Sequence, residues 1–190
     1  KLIVYSRDEL KQFEMQQYWP DNGKIPIRYF IGDVRDLPRL KMAMVGVDIV
    51  IHAAAQTCGE KSFYIPAYDL ETNIIGSKNT FDFACKCKAK LFINLSTMSI
   101  YGSPNKKIKK VNEKFEPKPV SMYGNSKLAA EKTLNILSKK LKIPVINLRI
   151  FSVFGPGQDL NNLQQGMVSI YLNYLLKKKK ILVKGSLNRV

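Results

Sequence analysis

The feature that most constrains this chain is a regular alternation of strand-like and helix-like patterns. Residues 1–5 (Lys-Leu-Ile-Val-Tyr) read as a strand. Ser6 is followed three residues later by Glu9, a capping box that predicts a helix from there to about Tyr18. Residues 27–31 form the next strand pattern, closed by Gly32-Asp33, and Asp36 opens a short helix through about Met44. Asp48 to Ala55 is a near-continuous apolar run, the pattern of a parallel strand covered on both faces. A helix is expected over about 66–86, a strand over 90–96 and a polar Lys/Pro-rich loop over about 103–121. The helix expected over about 123–141 places Ala130, Leu134, Leu137 and Leu141 on one face. A strand over 144–151, a break at Gly155-Pro156-Gly157, a helix over about 163–177 and a strand start at Ile181-Leu182-Val183 complete the pattern. Strands alternating with helices imply βαβ units, right-handed crossovers and an α/β fold with a parallel sheet. Ligands of such sheets sit beyond the carboxyl ends of the strands. The residues that matter most therefore follow positions 5, 32, 53, 96 and 150.

Composition narrows the alternatives. With 190 residues, 45% hydrophobic, the chain has material for a real core and is not a disordered polymer. No apolar run approaches the roughly 20 residues of a membrane span, and the cytoplasm is the expected compartment. Cys58, Cys85 and Cys87 are odd in number and lack C-x-x-C spacing, and His52 is the only histidine. Neither a disulfide framework nor a metal site is expected, and His52 reads as a hydrogen-bonded core residue. The net charge of +16 comes from 31 Lys+Arg against 15 Asp+Glu. Most of the cations are lysines spread along the chain. Lys106-Lys107 and Lys109-Lys110 fall in the polar loop, and Lys177 to Lys180 follow a helix, where cations suit its C-terminus. No nucleic-acid partner is expected, although such a balance attracts a nucleoside diphosphate.

The chemistry concentrates at Tyr123-Gly124-Asn125-Ser126-Lys127. Four-residue spacing puts the phenol and the ammonium on one helix face. An ammonium beside a phenol favours phenolate, so Lys127 is expected to lower the Tyr123 pKa and ready it for proton transfer with a sugar hydroxyl. Ser96-Thr97 ends the preceding strand, and a hydroxyl there can share that proton.

Ser96-Thr97-Met98-Ser99-Ile100-Tyr101-Gly102 followed by Tyr123-x-x-x-Lys127 resembles the extended short-chain dehydrogenase/reductases, in the branch of NAD-dependent nucleotide-sugar epimerases and dehydratases. Gly32-Asp33-Val34-Arg35-Asp36, His52-Ala53-Ala54-Ala55, Thr72-Asn73-Ile74-Ile75-Gly76 and Leu148 to Gly157 match further segments of that family. The resemblance implies a Rossmann-like doubly wound sheet over 1–154 and the start of a substrate lobe over 155–190. It implies that Tyr123 exchanges a proton with a sugar hydroxyl while hydride passes to a nicotinamide. Lys127 then holds the nicotinamide ribose, and Thr97 hydrogen-bonds the reacting oxygen. Ser6, Arg7, Asp33, Val34, Ala53, Ala54, Ala55, Asn73 and Phe151 are the implied further cofactor contacts, with Asp33 at the adenine. Ser152, together with Thr97 and Tyr123, is the implied substrate contact. A UDP-sugar is the implied substrate, in polysaccharide biosynthesis, and a homodimer through the helices at about 66–86 and 123–141 is the implied assembly.

Two departures bear on the reaction. The dehydratases of this family carry an acid directly after the Thr, where this chain has Met98-Ser99; that favours epimerisation over dehydration. Residues 1–9 nevertheless look most like the dehydratases that invert UDP-N-acetylglucosamine. Ser152 stands where relatives often carry an Asn. Arg7 after the strand at 1–5 favours NADP over NAD, because an Arg accommodates a 2′-phosphate. Finally, the glycine fingerprint G-x-x-G-x-x-G does not occur in the 190 residues. In the order 3-2-1-4-5-6 the strand that precedes it lies between the strands at 1–5 and 48–55. Those two strands are thus expected to be unpaired with each other. The chain is expected to be a window of a longer enzyme, poor at binding the dinucleotide by itself.

Overall fold

The computed structural model describes residues 1–20, 26–104, 110–163 and 166–181. Lys106, Lys107, Lys109, Gln164, Gln165, Leu182 and Val183 lie outside them. Strand β1 (Leu2–Ser6) leads to helix α1 (Glu9–Tyr18), and β2 (Ile27–Ile31) leads to α2 (Leu37–Ala43). The cap of α1 is Asp8, not Ser6: the Asp8 carboxylate accepts from the Lys11 amide at 3.0 Å, while Ser6 is still the last residue of β1 and accepts from the Asp8 amide. Asp36 caps α2 as expected, accepting from the Arg39 amide at 3.1 Å.

Strand β3 covers only Ile49–His52, shorter than the apolar run predicts. The single helix expected over 66–86 is broken. Short helices α3 (Lys61–Tyr64) and α4 (Pro66–Asp69) precede a π-helical turn at Leu70–Ile75, and only then does α5 (Gly76–Lys86) run regularly. Such π turns inside helices frequently mark functional sites. Strand β4 (Leu91–Thr97) passes through a 3₁₀ turn at Met98–Tyr101 toward helix α6 (Met122–Leu141), followed by β5 (Val145–Ile150) and α7 (Met167–Leu176). No helix among the described residues is long and apolar enough to cross a membrane.

All strand pairs are parallel, and they form two sheets. One is β1–β2, in register from Leu2↔Ile27 to Ser6↔Ile31; the other is β3–β4–β5. β1 and β3 do not pair, in agreement with the expectation from the strand order. Between them opens a cleft of about 1040 Å³. The reading of β3 as covered on both faces is corrected: Ile49 and Ile51 on one face are 55% and 64% exposed, whereas Val50 and His52 on the other are buried.

The core lies under the three-stranded sheet. Phe81 of α5 meets Phe92 of β4 edge-on at 5.3 Å between ring centres, and Leu40, Val50, Ala84 and Leu134 close around them. Fully burying a side chain of this size contributes roughly 1.5–3 kcal/mol. This packing fixes α5 and α6 against β4. The carboxyl end of β4 and the amino end of α6 are thereby held together.

Candidate active site

At that junction the structure brings Thr97 and Tyr123 together. Ser121 caps α6 by accepting from the Gly124 amide at 3.0 Å. A Cβ at Gly124 would come within 2.6 Å of the Ser99 carbonyl, so only glycine lets the first turn of α6 approach the 3₁₀ turn this closely. Thr97, buried at the end of β4, accepts from the Ser99 amide at 3.1 Å and hydrogen-bonds Tyr123. Ser96 beside it is also buried, and its hydroxyl has no partner among the described residues.

The electrostatics differ from the simple Tyr–Lys expectation. The Tyr123 phenol is pushed above its ordinary value, first by burial; hydrogen bonding to Thr97 opposes this, and the negative charge of Asp69 adds to it. Lys127 is 2% exposed, and burial brings its ammonium down to about 8 against a smaller upward pull from Glu131. Burial thus opposes the charge on Lys127, and no pull from Lys127 offsets the effect of burial on the Tyr123 phenol in the chain alone. Glu131, one turn beyond Lys127, is buried and held by Arg149, whose guanidinium reaches both carboxylate oxygens at 2.8–3.2 Å and donates to the Tyr101 hydroxyl at 2.9 Å. This pair ties α6, β5 and the 3₁₀ turn to one another.

Behind Tyr123 lies a buried polar network. The Asn73 side chain, presented by the π turn, accepts from the Gln56 amide at 2.9 Å and donates to the Gln56 carbonyl at 3.1 Å and to the Ser126 hydroxyl at 2.9 Å. Ser126 donates to the Tyr123 carbonyl at 2.8 Å. Ser77 donates to the Asn73 carbonyl at 2.6 Å, so its oxygen accepts from His52 Nε2–H at 2.9 Å. Burial holds His52 neutral, with its pKa brought down to about 3. It is a core residue, as expected.

The remaining expected cofactor contacts gather elsewhere. Ser6, Arg7, Asp33, Val34 and Ala53 to Ala55 all line the cleft between β1 and β3. Thr72 lines it too, with a buried hydroxyl that has no partner among the described residues. At its rim Arg35 grips Asp33 (2.9 and 3.0 Å), Arg7 lies 3.4 Å from the same carboxylate, and both guanidiniums stand over the Tyr68 ring at 5.1 and 5.9 Å. The Arg35 hydrogen bonds bring the Asp33 carboxyl down to about 2. Phe151 and Ser152 are exposed beyond the end of β5. Sequence reading missed Gln56, Asp69, Ser126, Glu131 and Arg149. Only Glu131 carried a local signal, its four-residue spacing from Lys127 on the helix.

A parallel α/β sheet with charged and hydroxyl groups at its strand ends defines a Rossmann-like nucleotide-binding class. The chain belongs to the NAD-dependent epimerase/dehydratase family, whose model matches residues 5–190. It is 44% identical over 132 residues to an inverting UDP-N-acetylglucosamine 4,6-dehydratase of Campylobacter jejuni, covering 70% of this chain and 34% of that protein. It is 27% identical over 184 residues to a UDP-glucose 4-epimerase of Rickettsia canadensis, covering 96% of this chain and 47% of that one. Among solved structures, a UDP-N-acetylglucosamine 4-epimerase of Methanobrevibacter ruminantium superposes with a TM-score of 0.86 at 22% identity, over 98% of this chain and 58% of that one. The chain thus spans between a third and a half of the length of these two curated relatives.

Proposed function

We propose that this chain carries the proton-transfer site and part of the cofactor site of a nucleotide-sugar epimerase. The observation that carries this reading is the junction of β4 and α6, where Thr97 hydrogen-bonds Tyr123 and the buried Lys127 follows one turn further along α6. Tyr123 takes the proton of a sugar hydroxyl, and Thr97 orients that oxygen by hydrogen bonding. Lys127, buried and without an ion-pair partner among the described residues, holds a ribose hydroxyl and, when protonated, stabilises the phenolate. A nicotinamide cofactor supplies hydride transfer when bound. The cleft residues fit such a group: Thr72 offers a free buried hydroxyl and Asp33 an ionised carboxylate for the adenosine end, with Val34 and the 53–55 backbone along the cleft and Asn73 behind it. Phe151 extends the same contact set. NADP is favoured over NAD, because Arg7 follows β1 and its half-exposed guanidinium, beside Asp33 and Tyr68, can accommodate a 2′-phosphate. Ser152 and the start of a lobe over 155–190 serve the diphosphate of a UDP-sugar. Ile75 and Ile136, 51% and 69% exposed, lie on the two stretches through which a homodimer would form.

Dehydration is the second reading, supported by the 44% identity to the inverting dehydratase. Against it stands the 3₁₀ turn after Thr97, where Met98 and Ser99 supply no acid. The full-length protein with UDP-sugars in deuterated water separates the two. An epimerase leaves carbon 5 unlabelled, whereas a dehydratase places deuterium there. The Tyr123→Phe variant is expected to lose on the order of 10²–10⁴ in turnover; unchanged turnover would refute the proton-transfer assignment.

A further inference from the structure

The buried group that this mechanism leaves unused is Asp69. It is the last residue of α4, directly before the π turn, and is 0% exposed. Its carboxylate meets only neutral donors. Gln56 Nε2 reaches both oxygens at 3.1 Å, and Asn73 Nδ2 lies 3.4 Å from one of them. An unpaired carboxylate removed from water is costly, so its charge calls for a role beyond filling space. α4 packs against α3, the π turn and α6. On α3, Lys61 and Tyr64 are exposed, and in the π turn Glu71 is exposed and paired with Arg35. Cys58 neighbours through its carbonyl, which accepts from the same Gln56 amide. On α6 stand Tyr123, Lys127 and Glu131, the last held by Arg149. No ion pair joins Asp69 to any cation among the described residues.

We propose that Asp69 is a positioning residue of the Tyr123 site, its carboxylate fixing Gln56 and Asn73 so that the Asn73–Ser126 bond sets the turn of α6 that carries the phenol. The path is continuous: Asp69 to Asn73, Asn73 to Ser126 at 2.9 Å, and Ser126 to the Tyr123 carbonyl at 2.8 Å. The charge has a second effect. It opposes phenolate at Tyr123 and so favours the protonated phenol. The break of the helix at the π turn has a function in this scheme, since it aims Asn73 inward one turn from Asp69.

This inference rests on the reading of Tyr123 as the proton-transfer group. It is tested without turnover, so that the two can fail separately. In the full chain carrying ¹³Cζ-labelled tyrosine, the Tyr123 signal is assigned by its loss in Tyr123→Phe and titrated with pH. Asp69→Asn keeps the shape and removes the charge, and is expected to lower the Tyr123 midpoint by roughly half a pH unit or more. An unchanged or raised midpoint overturns the proposal. If Asp69→Asn does not fold, Ser126→Ala in the same titration decides, because it cuts the path between Asn73 and the Tyr123 turn. A Tyr123 midpoint that moves from that of the parent upholds the proposal, and one that does not move overturns it.

Discussion

The two sheets of this molecule solve the same problem differently. β3–β4–β5 is covered on its inner face by α5 and α6, where His52, Ser77, Asn73 and Ser126 form one chain of hydrogen bonds and Glu131 and Arg149 a separate ion pair. β1–β2 is a two-stranded sheet with Leu2 46% exposed, and its ionic contacts sit at the rim, where Arg7 and Arg35 share Asp33. A two-stranded ribbon is marginal by itself in water. The difference teaches that the proposed proton-transfer site stands on the half with the packed core, while the proposed adenosine end stands on the half whose contacts lie at the rim. Catalytic geometry has to be held to a fraction of an ångström, whereas a charged rim can adjust.

The sharpest way to break this comparison is to truncate one apolar strand residue to alanine in each half. Phe92 is 0% exposed and is shared between β4 and the ring of Phe81. Phe92→Ala is expected to cost about 3–5 kcal/mol in denaturant unfolding. Leu2→Ala, at a half-exposed position, is expected to cost less than about 1 kcal/mol. Equal losses would show that β1–β2 is as integral to the core as β4.

Much of this division was legible in the sequence. Strand and helix order followed from periodicity, and β2 runs over 27–31 as read. The separation of β1 from β3 followed from strand order together with the absent glycine fingerprint. Tyr123 and Lys127 were visible because helical spacing is a local property. The π turn was not visible, because the segment 66–86 keeps helical composition throughout, and the extra residue in the turn is stabilised by contacts of Asn73 with Gln56 and Ser126 far away in sequence. Asp69 and Gln56 meet across thirteen residues with no shared period. The pKa of Tyr123 was misjudged for a similar reason: spacing reports that Lys127 is near, but the burial that raises the phenol and lowers the ammonium is a tertiary fact.

Lys127 also sharpens the comparison from the side of the stable half. Its pKa is lowered by folding from the ordinary 10.5 to about 8. Between those two values the unfolded chain holds a proton that the folded chain has lost, so stability rises with pH across that window. Below about pH 8 the full cost of the buried ammonium is present. Lys127→Met is therefore expected to stabilise the fold at pH 7 by about 1–3 kcal/mol while abolishing turnover. Glu131 remains paired by Arg149 in that variant, so no orphaned carboxylate offsets the gain. A variant less stable than the parent in thermal unfolding at pH 7 would show that the buried ammonium is already compensated.

The smallest effect is expected at the rim. Asp33 has its carboxyl lowered by folding from the ordinary 3.8 to about 2, chiefly through the Arg35 hydrogen bonds, with Arg7 adding to them. A carboxyl depressed in the folded state stabilises it above its unfolded value, and that stabilisation fades as pH falls from about 4 through about 2. The side chain is 22% exposed and its partners are half-open to water, so screening keeps the contribution below about 2 kcal/mol. Asp33→Asn should accordingly lower stability modestly at pH 6 and make no difference at pH 2. Raising the salt concentration should shrink even the effect at pH 6, because the Arg7 contact is exposed. A loss at pH 6 as large as that of Phe92→Ala would mean that the rim, and not the inner core, holds β2 to α2. The contrast between a packed half and an ionic half would then have to be redrawn.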